Sequence, residues 1–206
     1  MSNDISTYYG GSLLGMCGKN SVIIVGDKRL GMGNFTVNTE RTSIHQINSK
    51  CFIGLSGFLP DCQKLISIIT NHIKLFELNE NRIIEIDEVK NLVSYVLYSY
   101  RTTGPLYLQP IIVGLDRNDK PYAISMDCLG CETIYHYVSI GTAENNLTGI
   151  CEALYIKDMD EDQLFTNAMQ AFINAVDRDA LSGWGAECFI ITPSKVIQRK
   201  VKSRCD

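Results

Sequence analysis

The apolar positions of this chain change period along its length, and each change marks an element. Short β-branched and apolar runs at 12–17, 21–26, 35–37, 43–47 and 51–55 are separated by turn formers such as Gly18-Lys19-Asn20, which predicts an antiparallel meander led by a hairpin. The spacing then lengthens. Between 61 and 78 the apolar residues Cys62, Leu65, Ile66, Ile69, Ile73 and Phe76 fall on one helical face. A second helix is expected over about 87–101, with Val89, Leu92, Val93, Val96, Leu97 and Tyr100 on one face. Asp87 and Glu88 sit in its first turn, where the helix dipole favours negative charge.

Gly104-Pro105 ends that helix, and strands resume at 108–114, 122–126 and 133–138, with a polar turn at 116–120. Another helix pair is predicted over 143–155 and 161–176, the latter opened by the capping-box variant Asp160-x-x-Gln163. Two last strands, 188–192 and 196–201, flank Pro193-Ser194. Helices that come in pairs between hairpins argue against a doubly wound parallel sheet. They fit an α+β fold, a four-layer α-β-β-α sandwich of two antiparallel sheets flanked by helix pairs. The consecutive apolar residues of V-I-I-V and P-I-I-V-G suit strands covered on both faces. No linker or low-complexity segment divides the chain, so one domain over 1–206 is expected.

Composition narrows the function classes. With 45% hydrophobic and 20% charged residues the chain has the makings of a sizeable core, and a formal net charge of -4 offers no basic field for nucleic acid or anionic lipid. The one basic cluster, Arg199, Lys200, Lys202 and Arg204, is interleaved like a solvated or partner-facing strand. The eight cysteines are scattered through apolar segments, as buried small hydrophobes of a reducing compartment would be. Cys128 and Cys131 form a C-x-x-C without the further ligands a zinc site needs. The N-terminus has neither the basic nor the apolar region of a signal peptide, and no run reaches the roughly 20 apolar residues of a membrane span. A soluble intracellular protein is expected.

Common catalytic signatures are missing: no G-x-S-x-G, no phosphate-binding loop, no G-x-G-x-x-G after a strand and no H-E-x-x-H. His45, His72 and His136 lie far apart, and Asp177-Arg178-Asp179 reads as a helix-closing element.

Three blocks carry a resemblance. They are the hairpin ending in V-G-D-K-R, the G-L-S-G-F-L-P-D-C entry into the first long helix, and V-D-R-D-A-L-S-G-W-G before the last two strands. Together they resemble the β subunits of the 20S proteasome, members of the N-terminal-nucleophile hydrolase superfamily. Y-Y-G-G-S, K-L-F-E-L-N-E-N-R, Y-L-Q-P-I-I-V-G-L-D and N-A-V-D-R-D-A-L-S-G narrow the likeness to one subunit type, and together it spans nearly the whole chain.

The resemblance implies the four-layer sandwich and, in active members, an N-terminal threonine whose hydroxyl is activated by its own free amine, an aspartate and a lysine. The aspartate matches Asp27. The nucleophile stands a fixed interval before it and the lysine the same interval after it, and those positions hold Gly11 and Ser43. Glycine cannot attack, and serine brings no cation. Gly57 matches the oxyanion glycine, Thr142 a supporting serine, and Asp179 with Ser182 the supporting pair of the R-D-x-x-S block.

A non-catalytic wall subunit is therefore implied, partnered by other α and β subunits in a 28-subunit barrel in cytoplasm and nucleus, with neither nucleic acid nor membrane as a partner. Asp127 and Cys131, in the loop M-D-C-L-G-C, would help line a neighbouring subunit's substrate pocket, where an acid favours basic side chains. The resemblance requires no cofactor, but suggests a structural magnesium held by carbonyls of Val176, Asp179 and Ser182 or by the carboxylate of Asp206. Three other readings compete. An active hydrolase could use Ser12 after cleavage at Gly11-Ser12. An α-type subunit needs a longer segment before the first strand, and a standalone binding protein would be monomeric.

Overall fold

A computed structural model describes residues 5–203. Among these, one five-stranded antiparallel sheet runs in the order β10-β1-β2-β11-β12 and a second in the order β5-β6-β7-β8-β9. The first is built from β1 (Ser12–Cys17), β2 (Val22–Asp27), β10 (Tyr137–Gly141), β11 (Ala186–Ile191) and β12 (Val196–Val201). The second contains β5 (Ile44–Asn48), β6 (Cys51–Gly57), β7 (Leu108–Leu115), β8 (Pro121–Met126) and β9 (Glu132–Tyr135). Helices α1 (Leu59–Glu80) and α2 (Ile86–Ser99) cover the second sheet, and α3 (Glu144–Leu154) and α4 (Glu161–Val176) cover the first.

Side-chain alternation produces the layers. In β2, Val22 and Ile24 point between the sheets, whereas Ile23 and Val25 pack with Leu164, Ala168 and Phe172 of α4. In β7, Ile111 and Val113 face the inter-sheet core while Ile112 meets Leu65, Val89 and Val93 of the other helix pair. A strand with apolar neighbours on both faces must be apolar at every position, which accounts for V-I-I-V. Phe52 and Phe189 stack between the sheets with centroids 5.0 Å apart.

Two expectations are corrected and one feature is added. The first strands are not one meander: β1 and β2 enter one sheet, β5 and β6 the other, and between them β3 (Leu30–Met32) and β4 (Phe35–Asn38) form a separate ribbon. The strand expected over 133–138 is two strands. β9 pairs with β8, β10 pairs with β1, and the chain changes sheets at His136, whose carbonyl accepts from Cys17 N–H at 2.7 Å. Finally, α2 has a capping box of its own, Glu85 with Glu88, beside the expected one at Asp160 and Gln163. The predicted edge strand is β12, where Arg199 lies over the Phe165 ring and Lys200 stands 3.9 Å from Glu187. No helix among the described residues is long and apolar enough to cross a membrane.

Candidate functional site

Several element ends meet at one end of the sandwich: the start of β1, the ends of β2, β6 and β10, and the loop between α4 and β11. Four of the residues singled out in the sequence, Gly11, Asp27, Thr142 and Ser182, come together there, with Asp179 joined through Thr142.

Asp27 is fully buried. Its Oδ1 accepts from Ser12 N–H and its Oδ2 from Gly183 N–H, each at 3.1 Å, which ties the hairpin to the loop after α4. Burial raises its pKa to about 6, and the Arg41 guanidinium and main-chain donors pull the other way. Ser43 sits under the end of β2, its Oγ 2.8 Å from the place a Cβ on Gly26 would take.

Arg41 supplies the cation that Ser43 does not. It is 8% exposed, and its Nη1 donates to the Gly10 carbonyl at 3.0 Å. A Cβ built on Gly11 would lie 2.7 Å from that nitrogen and 3.1 Å from Asp27 Oδ1. Gly11 also has φ +98°, a region L side chains seldom enter. Its N–H donates to Leu181 O, and its carbonyl accepts from Ser56 Oγ and Thr142 N–H.

Ser12, weighed in the sequence only as a rival nucleophile, is 1% exposed. Its Oγ accepts from Ala143 N–H at 2.8 Å and meets Ser182 Oγ at 2.8 Å. Ser182 Oγ in turn meets Thr142 Oγ1 at 2.8 Å, and Thr142 donates to Asp179 Oδ2. Each hydroxyl has one proton to give, and Thr142 gives its own to the carboxylate. The direction of the row is thereby set, from Ser12 through Ser182 and Thr142 to Asp179. The row satisfies buried hydroxyls that would otherwise be costly.

A cleft of about 490 Å³ opens beside this cluster, lined by Thr7, Gly57, Gln109, Asp127, Thr142 and Glu144 among others. Asp127 organises its own loop: Oδ1 accepts from Leu129 N–H and Cys131 N–H. Asp127 and Cys131 are both exposed. Glu144 has its pKa raised by burial. Val176, Asp179 and Ser182 line a separate hollow of about 260 Å³. The Asp179 carboxylate is engaged with Thr142 and Leu181 N–H, and Val176 O accepts from Asp179 N–H. Asp206 lies outside the described residues. Among the described residues, no three His, Cys, Asp or Glu side chains are grouped to hold a metal.

Sequence reasoning missed Arg41, Ser56 and the hydroxyl row through Ser12. Only a basic residue shortly before Ser43 was there to signal the first.

A family model described as proteasome subunit matches residues 7–191. The chain is 39% identical to proteasome subunit beta type-3 of Picea mariana and 40% identical to proteasome subunit beta type-3-A of Arabidopsis thaliana, each over 98% of this chain and 99% of the relative. Proteasome subunit beta type-3 of Dictyostelium discoideum is 39% identical with the same coverage. With two antiparallel sheets between helix pairs and a family match over most of its length, the chain belongs to the proteasome subunit family.

Proposed function

We propose that this chain is a non-catalytic wall subunit of the 20S core particle, taking the place of a beta type-3 subunit in the β ring. It shapes the barrel and leaves peptide hydrolysis to other subunits. One observation carries the reading: where a nucleophile's side chain would begin, Gly11 has none, and the Arg41 guanidinium fills the space. The rival nucleophile is poorly placed. Ser12 Oγ is buried, and it is engaged by Ala143 N–H and the Ser182 hydroxyl.

The role extends to its surroundings. The chain packs with other α and β subunits in the 28-subunit barrel, in cytoplasm and nucleus. Asp127 and Cys131, on an exposed loop fixed by the Asp127 carboxylate, contribute to a neighbouring subunit's pocket for basic side chains. A structural magnesium fits the hollow at Val176, Asp179 and Ser182 only through main-chain oxygens, because the Asp179 carboxylate is already engaged. Such an ion would brace the loop, and no chemical step depends on it.

The test is the intact mass of this chain in the complex purified from its source, before and after treatment with an epoxyketone probe. The expected result is the full-length chain of 23.0 kDa, unlabelled. A chain lacking residues 1–11 and carrying the probe on Ser12 refutes the proposal.

A further inference from the structure

Arg41 poses a question that the wall role leaves open. A guanidinium is costly to bury, and this one keeps a price: its Nε is buried without a hydrogen-bond partner. Asp27 lies close enough to interact with its charge, and Gly10 O accepts a hydrogen bond from its Nη1. The segment that Arg41 touches is the leader, Ile5 to Gly10, which runs ahead of β1.

The leader is held along its length. Tyr9 O accepts from Gly31 N–H at 3.0 Å and Tyr8 O from Gly33 N–H at 2.9 Å, both on the β3–β4 ribbon. The Tyr9 ring lies 5.8 Å from that of Phe58. Arg29, also buried, braces the same ribbon from beneath: Nε donates to Thr36 Oγ1, Nη2 to Gly33 O and Nη1 to Leu181 O. Ser6 and Thr7 then form one wall of the 490 Å³ cleft.

We infer that Arg41 is a latch that holds the chain's own leader against the cleft, by grasping the Gly10 carbonyl and filling the side-chain space at position 11. The contact is a clamp within the chain. It keeps the unprocessed leader where it narrows the cleft, and it would exclude a nucleophile even if one were supplied. Glycine at 11 and arginine at 41 are then a matched pair, since any Cβ at 11 displaces the guanidinium. Whether the chain builds a barrel does not enter this inference.

The test follows leader mobility and the coupling of the pair. In the native complex carrying Arg41→Met, which keeps the apolar stem and loses every donor, amide exchange in peptides covering residues 5–11 and 28–34 is expected to rise about tenfold or more. Exchange in β7 should stay unchanged. Equal exchange in those peptides overturns the latch. In a double-mutant cycle, Gly11→Ala should cost less thermal stability beside Arg41→Met than alone, because the collision at 2.7 Å is gone while the strain of φ +98° remains. Additive losses overturn the pairing.

If the Arg41→Met chain does not fold, Arg41→Lys serves in the double-mutant cycle, since it retains the charge beside Asp27 and vacates the Gly11 space. Intact mass keeps this test apart from that of the wall role. A chain cut at Gly11-Ser12 defeats the wall role, whereas a full-length chain with unchanged exchange defeats the latch alone.

Discussion

Asp27→Asn tests whether burial or ion pairing rules the centre of this site. The Asp27 carboxyl is raised from 3.8 to about 6 because desolvation outweighs the Arg41 charge and the main-chain donors. One pKa unit is about 1.4 kcal/mol, so the shift corresponds to about 3 kcal/mol of linkage between folding and protonation. The folded state holds this proton more tightly than the unfolded state. The stabilising effect of the proton is therefore complete below the unfolded pKa, and is lost as pH rises from about 4 through about 6. Asparagine has no proton to lose here, and its variant lacks this term at every pH. It is also less stable throughout, because its amide group confronts one of the donors, Ser12 N–H or Gly183 N–H, that Asp27 now accepts. Urea unfolding of both chains at a series of pH values from 4 to 7 isolates the effect, since other carboxylates cancel in the difference. The stability of the parent minus that of the variant should shrink by about 3 kcal/mol across the range. A difference that grows with pH would show that Arg41 attraction exceeds the burial cost, and the reasoning would be wrong.

Three further outcomes are expected. Gly57→Ala, at φ +123°, places a Cβ 2.6 Å from Tyr107 O and 2.7 Å from Leu108 Cα, both main-chain atoms that cannot yield, and should lower stability by about 3 kcal/mol or more in a thermal melt. Thr142→Val keeps the shape but cuts the hydroxyl row before Asp179, a loss of about 1–3 kcal/mol by denaturant titration, with no change if the row is incidental. Asp160→Ala removes the side-chain acceptor for Gln163 N–H at the start of α4 and should cost about 1 kcal/mol, read from the unfolding midpoint.

The layers were legible because periodicity reports burial directly. The runs V-I-I-V and P-I-I-V-G read as strands covered on both faces, and Leu65, Ile69 and Ile73 as one helical face. Partner choice was less visible. Thr133 to Val138 carries no turn former, yet the chain leaves one sheet at Tyr135 and joins the other at Tyr137. A crossing between two stacked sheets needs only a change of direction, which alternation alone does not encode. The short β3 was missed for a related reason: Leu30, Gly31 and Met32 lie in a ribbon outside the inter-sheet core, and Arg29 beneath it makes polar contacts that leave no hydrophobic period to read.

The site divides along the same line. Gly11 and Asp27 keep a fixed relation because β1 and β2 are neighbours in register, Leu13 opposite Gly26, so counting along the chain found both. Arg41 comes from the loop before β5, and a long side chain reaches a place that its sequence position does not announce. Counting therefore placed a neutral serine where the lysine would be and concluded that the site had lost its cation, whereas a cation is present and stands in the space of the nucleophile. The bare position at 11 and the arginine at 41 are thus coupled. A side chain at 11 would require Arg41 to leave, so replacing Gly11 alone meets the guanidinium before it meets a substrate.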